Sequence, residues 1–176
     1  MEIAQFVISA LSSIGIVLSV LYLARQIKIA SEIHKENHEW NRRIETKHAL
    51  DSFNRMEAVV TLNEEFGFMS QKHPIDVKTI NDKLKQDHSL QVHLLRLLNF
   101  YEGLANGIDM GIFEELVIKE ARRGAMIRTY TAFSDFIEYH REEINPMAFI
   151  KYEALVAKWE KEGKQSIKLH KLGTVV

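Results

Sequence analysis

The stretch LQVHLLRLLNFYEGLANGI, residues 90–108, carries the strongest helical pattern in the chain. Its apolar side chains recur every three or four positions, the spacing that places them on one face of an α-helix. A face this continuous predicts a helix buried in the core of a bundle. Gly107 and Gly111 predict the end of this helix and a tight turn into the next one. The apolar face consists of Leu90, Leu94, Leu97, Leu98, Tyr101, Leu104 and Ile108.

The sequence on the C-terminal side of this stretch is also predicted to be helical. Phe113–Arg141 has apolar residues on more than one side, which predicts a central helix, and Asn145 and Pro146 end it. Met147–Lys161 is predicted to form the last helix. We expect the tail from Gly163 onward to be loose, because a glycine interrupts the pattern there.

The sequence on the N-terminal side is again helical, after a loop at residues 67–74 and a short polar helix at Ile75–Gln86. From Arg25 to Phe66 there is no helix breaker, which predicts one long helix or two abutting ones. Strand-like alternation of apolar and polar residues is almost absent, so the fold is predicted to be all-α. We divide the chain into a transmembrane helix at 1–24, a helical stalk or vestibule at 25–48 and a helical bundle at 49–176.

Composition excludes several classes of protein. The chain has no cysteine, which rules out disulfides and thiolate metal sites. Its 23 basic and 24 acidic residues give a net charge of -1, so no global basic field attracts nucleic acid. The sequence has no glycine-rich phosphate loop and no Ser-His-Asp arrangement, and no cofactor is expected.

The first helix has the length and composition of a membrane span. Residues 3–24, IAQFVISALSSIGIVLSVLYLA, contain no charged side chain. As a helix this segment is roughly 33 Å long, enough to cross the hydrocarbon core of a bilayer. Arg25 and Lys28 follow it and no basic residue precedes it, which predicts that residues 25–176 lie in the cytoplasm.

A polar stripe runs along this apolar helix. Polar groups in lipid need protein or water beside them, so the stripe predicts self-association of the chain. The assembled helices either line a pore, with Arg25 and Lys28 at its mouth, or pack as a simple pair through Gly15 and Ser19. Both interpretations stay open at this point. The stripe consists of Gln5, Ser9, Ser12 and Ser19, with Gly15 beside them.

The segment after the membrane helix has a narrow apolar seam. Ile29, Ile33, Trp40 and Ile44 recur at near-heptad spacing among charged and amide residues. This pattern is typical of a short coiled stalk between copies of a chain. Beyond Ala49 the apolar stripe widens, which indicates that the chain joins the globular core there.

Two groups of residues on this segment have the types that chemistry requires. Arg43 and His48 form the only Arg-x-x-x-x-His in the chain, which resembles the motif of helical RNases of the HEPN superfamily. The resemblance implies that the histidine moves a proton while the arginine holds charge on an RNA phosphate. On a continuous helix, five positions turn the second side chain by about 140°, so the alternative is that both are solvated or interface residues. His34 and His38 could share a metal with Glu32 or Glu45, but solvated histidines are the default, and no metal site is assigned.

A cluster of arginines lies on the predicted central helix. Arg122, Arg123 and Arg128 flank Gly124 and Ala125, which leave space for a phosphate or nucleotide. The alternative is that these arginines form ion pairs within the bundle. The carboxylates available for such pairs are those of Glu102, Glu114, Glu115 and Glu120.

Taken together, the membrane helix, the helical bundle and the single Arg43-to-His48 motif resemble the small membrane accessory proteins of type VI-B CRISPR systems. The segment 98–108, LNFYEGLANGI, also looks like a motif of bacterial helical membrane proteins. The resemblance implies a divergent HEPN-like bundle, a ring of copies, taken as an octamer, in the bacterial inner membrane, and a role in antiviral defence beside an RNA-guided CRISPR RNase.

These patterns lead to a functional expectation with two alternatives. We expect a homo-oligomeric membrane pore, with lipid as its surroundings, that depolarises the infected cell and breaks no bonds itself. The first alternative is a membrane-tethered HEPN-type RNase that uses Arg43 and His48 in a site shared between chains and binds RNA directly. The second is a non-conducting module that docks the nuclease or a nucleotide signal at Arg122, Arg123 and Arg128.

Overall fold

The computed structural model describes the backbone of residues 2–54 and 57–173, and the side chains of residues 18–52 and 57–165. Helices dominate this part of the chain, and no strand occurs among the described residues. The all-α prediction is therefore confirmed. Six α-helices and a short 3-10 helix at Phe68–Ser70 follow one another: α1 Glu2–Asn54, α2 Glu57–Phe66, α3 Val77–Gln86, α4 His88–Asp109, α5 Glu115–Glu143 and α6 Ile150–Gly173.

The predicted helix boundaries hold to within a few residues except at the C-terminus. The breaker-free region from Arg25 to Phe66 is helical wherever the structure describes it, within α1 up to Asn54 and within α2 from Glu57. The prediction of a loose tail from Gly163 is wrong, because α6 continues to Gly173. The residues after Gly163 include Lys, Gln and Leu, whose helix propensity outweighs the cost of one glycine.

The chain divides into two compact units. One ends at Asn41 and consists of the first part of α1, whose described side chains, from Leu18 onward, are exposed apart from that of Glu39. The other begins at Arg42 and contains the helical bundle. Residues 42–48, which the sequence analysis assigned to the stalk, therefore belong to the compact unit of the bundle.

The core of the bundle is built around the apolar face of α4. Every member of that face is buried except Ile108, which is half-buried. Helix α4 contacts α2, α3 and α6, whereas α5 contacts α3, α6 and the 3-10 helix. The centre of the bundle is thus shared by α4 and α5. The largest side chains that α6 adds to this core are those of Tyr152 and Trp159, both fully buried.

Helix α5 is kinked at Phe133, where the backbone leaves helical geometry (φ -109°, ψ 16°). The buried ring of Phe133 packs against Phe66, with ring centroids 5.7 Å apart, and against Phe68, at 5.4 Å. The Ile75 N–H, from the segment before α3, donates to the Ala132 carbonyl at 2.9 Å. A foreign donor inside the helical hydrogen-bond ladder is a recognised cause of kinks.

The start of α6 is held by polar contacts from α4 and α5. The Glu102 carboxylate accepts the backbone N–H of Lys151 at 3.2 Å and that of Tyr152 at 2.7 Å. These are among the N–H groups that a helix cannot satisfy by itself. The Arg141 Nε donates to the Ala148 carbonyl at 2.7 Å, which fixes the loop between α5 and α6.

The turn between α4 and α5 requires glycine at two positions. Gly111 has φ +70°, in the left-handed region that suits glycine. Gly107 is buried, and a Cβ atom added there would lie 2.3 Å from Cδ2 of Phe113. The ring of Phe113 therefore fills the space that the missing side chain leaves.

We predict that Gly107→Ala destabilises the bundle by about 1–2 kcal/mol, because the cost of displacing the Phe113 ring exceeds the gain in helix propensity. Gly103→Ala is the matched control on the same helix, since nothing lies within 4 Å of a Cβ atom there. That control should stabilise the protein by up to about 1 kcal/mol. Denaturant unfolding of both variants measures the difference, and equal shifts would contradict the close contact.

Candidate functional site

The last turns of α1 are tied to the start of α5 by a small polar cluster, the α1–α5 junction, formed by Arg42, Thr46 and Glu114. The Thr46 side chain is fully buried. Its hydroxyl donates to the Arg42 carbonyl at 2.7 Å and accepts the Glu114 N–H at 2.8 Å. The Arg42 Nη2 donates to the Glu114 Oε2 at 2.8 Å. Both capacities of the buried hydroxyl are thus used.

The junction also completes the N-terminus of α5. Glu114 is the residue that precedes this helix, and its side chain makes no capping hydrogen bond. Its own backbone N–H is satisfied by Thr46 from another helix, and its carboxylate sits favourably beside the positive end of the α5 dipole. The Arg42 Nε is buried and has no hydrogen-bond partner among the described residues. Leaving this buried N–H unpaired lowers the free energy of stabilisation that the junction provides.

Sequence reasoning missed this junction, although a signal was present. Thr46 lies three and seven positions before Ala49 and Phe53, so it continues their apolar stripe by one more helical turn. A polar residue on the buried side of a helix needs a partner, but its identity cannot be found from spacing. The partner, Glu114, is 68 residues away.

The Arg43-to-His48 motif lies on α1, and both side chains are exposed. Helix α1 is continuous through both residues, so the rotation of about 140° between them applies. Within the described residues, neither side chain makes a hydrogen bond or ion pair. The neighbouring Arg42, rather than Arg43, points into the bundle and pairs there.

Within the described residues, no third ligand joins the histidine pair on α1 that could share a metal. His34 and His38 are exposed. Among the residues that the structure describes, no three His, Cys, Asp or Glu side chains are grouped in a way that could hold a metal ion.

The part of α1 before the bundle presents large apolar side chains to its surroundings. Leu18 and Leu23 are 60% and 59% exposed, and Trp40 is 63% exposed. Arg25 and Lys28 are exposed between them. In the described part of the chain, no helix reaches the length and apolarity that a membrane crossing requires.

Most residues of the predicted polar stripe lie before residue 18, where the described side chains begin. Ser19 is exposed. Gln5, Ser9, Ser12 and Gly15 lie outside the residues whose side chains are described. The backbone of all five belongs to α1.

The three arginines of α5 have separate surroundings. Arg123 donates from Nη2 to the Trp159 carbonyl at 2.7 Å and lines a cavity of about 500 Å³ between α5 and α6. Arg122 is half-buried and Arg128 is exposed. Burial raises the pKa of Tyr101 to about 12, and the charges of Arg122 and Arg128 act on it in the opposite direction.

The carboxylates expected to pair with these arginines are used elsewhere in three cases. Glu102 caps α6, Glu114 pairs with Arg42, and Glu115 binds the Lys158 Nζ at 2.6 Å. The cavity beside Arg123 is lined by two further cations, Lys119 and Lys164, and by the carboxylates of Glu160 and Glu162. Glu162 pairs with Lys119. The charges of this cavity are therefore mixed and do not select an anion.

The fold and the junction define an all-α protein in which one very long helix continues into a small bundle. The chain belongs to the family described as "Domain of unknown function (DUF4760)", whose model matches residues 8–159. That range includes most of the uncharged segment 3–24 and all of α2 to α5. No curated protein and no solved structure matches the chain significantly.

We predict that Thr46→Val lowers the free energy of unfolding by about 1–3 kcal/mol, because it leaves the Glu114 N–H without its acceptor. Thr61→Val is the matched control. Its hydroxyl donates only to the Glu57 carbonyl of its own helix, at 3.3 Å, so the change there should stay within about 0.5 kcal/mol. Chemical unfolding followed by tryptophan fluorescence provides the measurement. Equal losses in both variants would show that the junction adds nothing.

Proposed function

We propose that this protein is a single-pass membrane protein whose N-terminal helices assemble from several copies into a pore, with the bundle on the cytoplasmic side. The observation that carries the proposal is the exposure of large apolar side chains on α1, about 60% from Leu18 to Leu23, at the end of a segment without charge. An apolar surface of this kind needs lipid or protein around it. Both are present when helices assemble in a bilayer.

The polar stripe supports assembly over a solitary anchor. The hydroxyl and amide groups of Gln5, Ser9, Ser12 and Ser19 recur on one face of the uncharged segment. In hydrocarbon, amide and hydroxyl side chains are stabilised by polar groups or water beside them, so helices that carry such a stripe gain by turning it toward one another or toward water. The match of the family's domain from residue 8 supports treating this helix as an integral part of the domain.

The proposal also assigns roles to the charged residues that flank the membrane helix and to the apolar seam, both on the cytoplasmic side. Arg25 and Lys28 would lie at the cytoplasmic mouth of the pore and bias which ions pass. The exposed side chains of Ile29, Ile33 and Trp40 would meet their equivalents in neighbouring copies and form a vestibule.

The biological role that we attach to the pore rests on the resemblance to accessory proteins of type VI-B CRISPR systems. In that role, a ring of copies in the bacterial inner membrane, taken as an octamer, leaks ions during infection and so strengthens the defence given by an RNA-guided RNase. The bundle has no part in bond breaking under this proposal.

Two other functions remain as alternatives to the pore. The exposure of Arg43 and His48 makes both accessible to RNA, which favours the RNase alternative, although a single copy turns them apart. The cavity beside Arg123 offers space for the docking alternative, in which the nuclease or a nucleotide signal binds, but its mixed charges do not select an anion. Arg122 and Arg128 do not line that cavity.

We predict that single-cysteine variants will form disulfide-linked dimers in native membranes when the cysteine lies on the polar stripe. The chain has no cysteine of its own, so each variant carries one reporter. Ser12→Cys and Ser19→Cys should cross-link on oxidation. Ile14→Cys and Leu21→Cys, about 200° around the helix from those two positions, are the matched controls and should not. A monomer on the gel for all four variants would overturn the assembly.

We predict that purified protein in lipid vesicles dissipates a potassium diffusion potential, measured with a voltage-sensitive dye. Replacing both Ser12 and Ser19 by Leu should bring the leak close to background, because it replaces two of the stripe's four polar side chains by bulky apolar ones. The control Ile14→Leu with Val20→Leu keeps the apolar faces apolar and should leak as the original protein does.

The same vesicles distinguish the alternatives. Arg43→Ala with His48→Ala should leave the leak unchanged under the pore proposal. If wild-type protein conducts nothing but cleaves RNA in a way that this double variant abolishes, the enzyme alternative replaces the pore. If the protein neither conducts ions nor cleaves RNA but co-purifies with the nuclease, the docking module is the favoured function.

A further inference from the structure

A cavity of about 360 Å³ opens where α3, the start of α4 and the end of α5 meet. This volume lies within the range of small-molecule sites in proteins. All of its walls belong to the compact unit that begins at Arg42. The cavity is separate from the α1–α5 junction and from the arginines of α5.

One wall of the cavity is aromatic and comes from α5. Phe136, which is buried, and Tyr139, with 38% of its surface exposed, both line it. The ring of His140 lies near those of Phe136 and Phe149, with centroids 5.9 Å and 5.7 Å away and the ring planes tilted by 34° and 41°. Burial lowers the pKa of His140, so the neutral imidazole, with one donor and one acceptor, is the favoured form. This wall matches a flat ring that carries hydrogen-bonding groups.

The wall that α3 and α4 contribute is mostly basic and polar. Lys85 at the end of α3 and His88 at the start of α4 line it, together with the amides of Asn81 and Gln91 and the apolar side chain of Leu84. No carboxylate is among the residues lining this cavity in the described structure. The nearby Asp87 accepts the Ser89 N–H at 2.8 Å and caps α4. The wall therefore favours an anion, unlike the larger cavity beside Arg123.

We propose that this cavity binds a nucleoside phosphate, with its base against Phe136 and Tyr139 and its phosphate at Lys85 and His88. A ligand that satisfies both walls needs a planar heterocycle and a negative charge in one small molecule. A free phosphate leaves the aromatic wall unused, and a nucleoside leaves the basic wall unused. The proposal does not depend on the pore, because every residue in it lies in the bundle.

The test is calorimetric titration of the full-length protein, in detergent, with each of the four ribonucleoside 5′-monophosphates. At least one should bind, and the corresponding nucleoside and inorganic phosphate should each bind more weakly. Tyr139→Ala should weaken binding about tenfold or more, since stacking of a base on an aromatic ring is worth that much. Lys85→Gln with His88→Gln should also weaken it about tenfold or more, through loss of contacts to the phosphate.

The matched control is Lys72→Gln with His73→Gln, which changes the same residue types on an exposed segment outside the cavity. It should bind as the original protein does, and thermal unfolding checks that each variant is folded. The proposal is overturned if none of the four nucleotides binds, or if the cavity variants bind as tightly as the control. Inorganic phosphate that binds as tightly as the nucleotide would overturn it too, as would binding seen only with RNA of several nucleotides.

Discussion

The buried hydroxyl of Thr46 is the constraint on which the position of α1 in the bundle depends. A hydroxyl without water must both donate and accept, and here it donates to the Arg42 carbonyl of α1 and accepts the N–H of Glu114, the residue before α5. Rotating residues 42–54 about the helix axis would unpair the hydroxyl and separate Arg42 from Glu114. The junction therefore determines which face of residues 42–54 packs against the bundle. Apolar contacts alone would define the rotation of this segment less precisely.

Helix α5 connects the two polar features of the bundle. Glu114, the residue before its first turn, belongs to the α1–α5 junction, and its last turns form the aromatic wall of the proposed nucleotide cavity. Between these two ends lies the kink at Phe133, where the Ile75 N–H takes the Ala132 carbonyl.

The apolar patterns could be read correctly from the sequence because they depend only on local periodicity. The face of α4 and the turn at Gly107 and Gly111 follow from residue spacing, and the structure confirms them. The end of α6 could not be predicted in this way. The prediction gave Gly163 too much weight relative to the helix propensity of the residues that follow it. The pore, its mouth at Arg25 and Lys28 and the Arg43-to-His48 motif stay predictions.

The sequence by itself determined the helical class and the buried face of the core helix, because side chains three and four positions apart share a face wherever the helix lies. Tertiary structure alone decided the polar contacts. Thr46 finds Glu114 across 68 residues, and Glu102 caps α6 rather than pairing with an arginine. His88 and His140 line one cavity although 52 positions separate them. Such contacts depend on how helices are arranged around the core, and spacing along the chain carries no record of that arrangement.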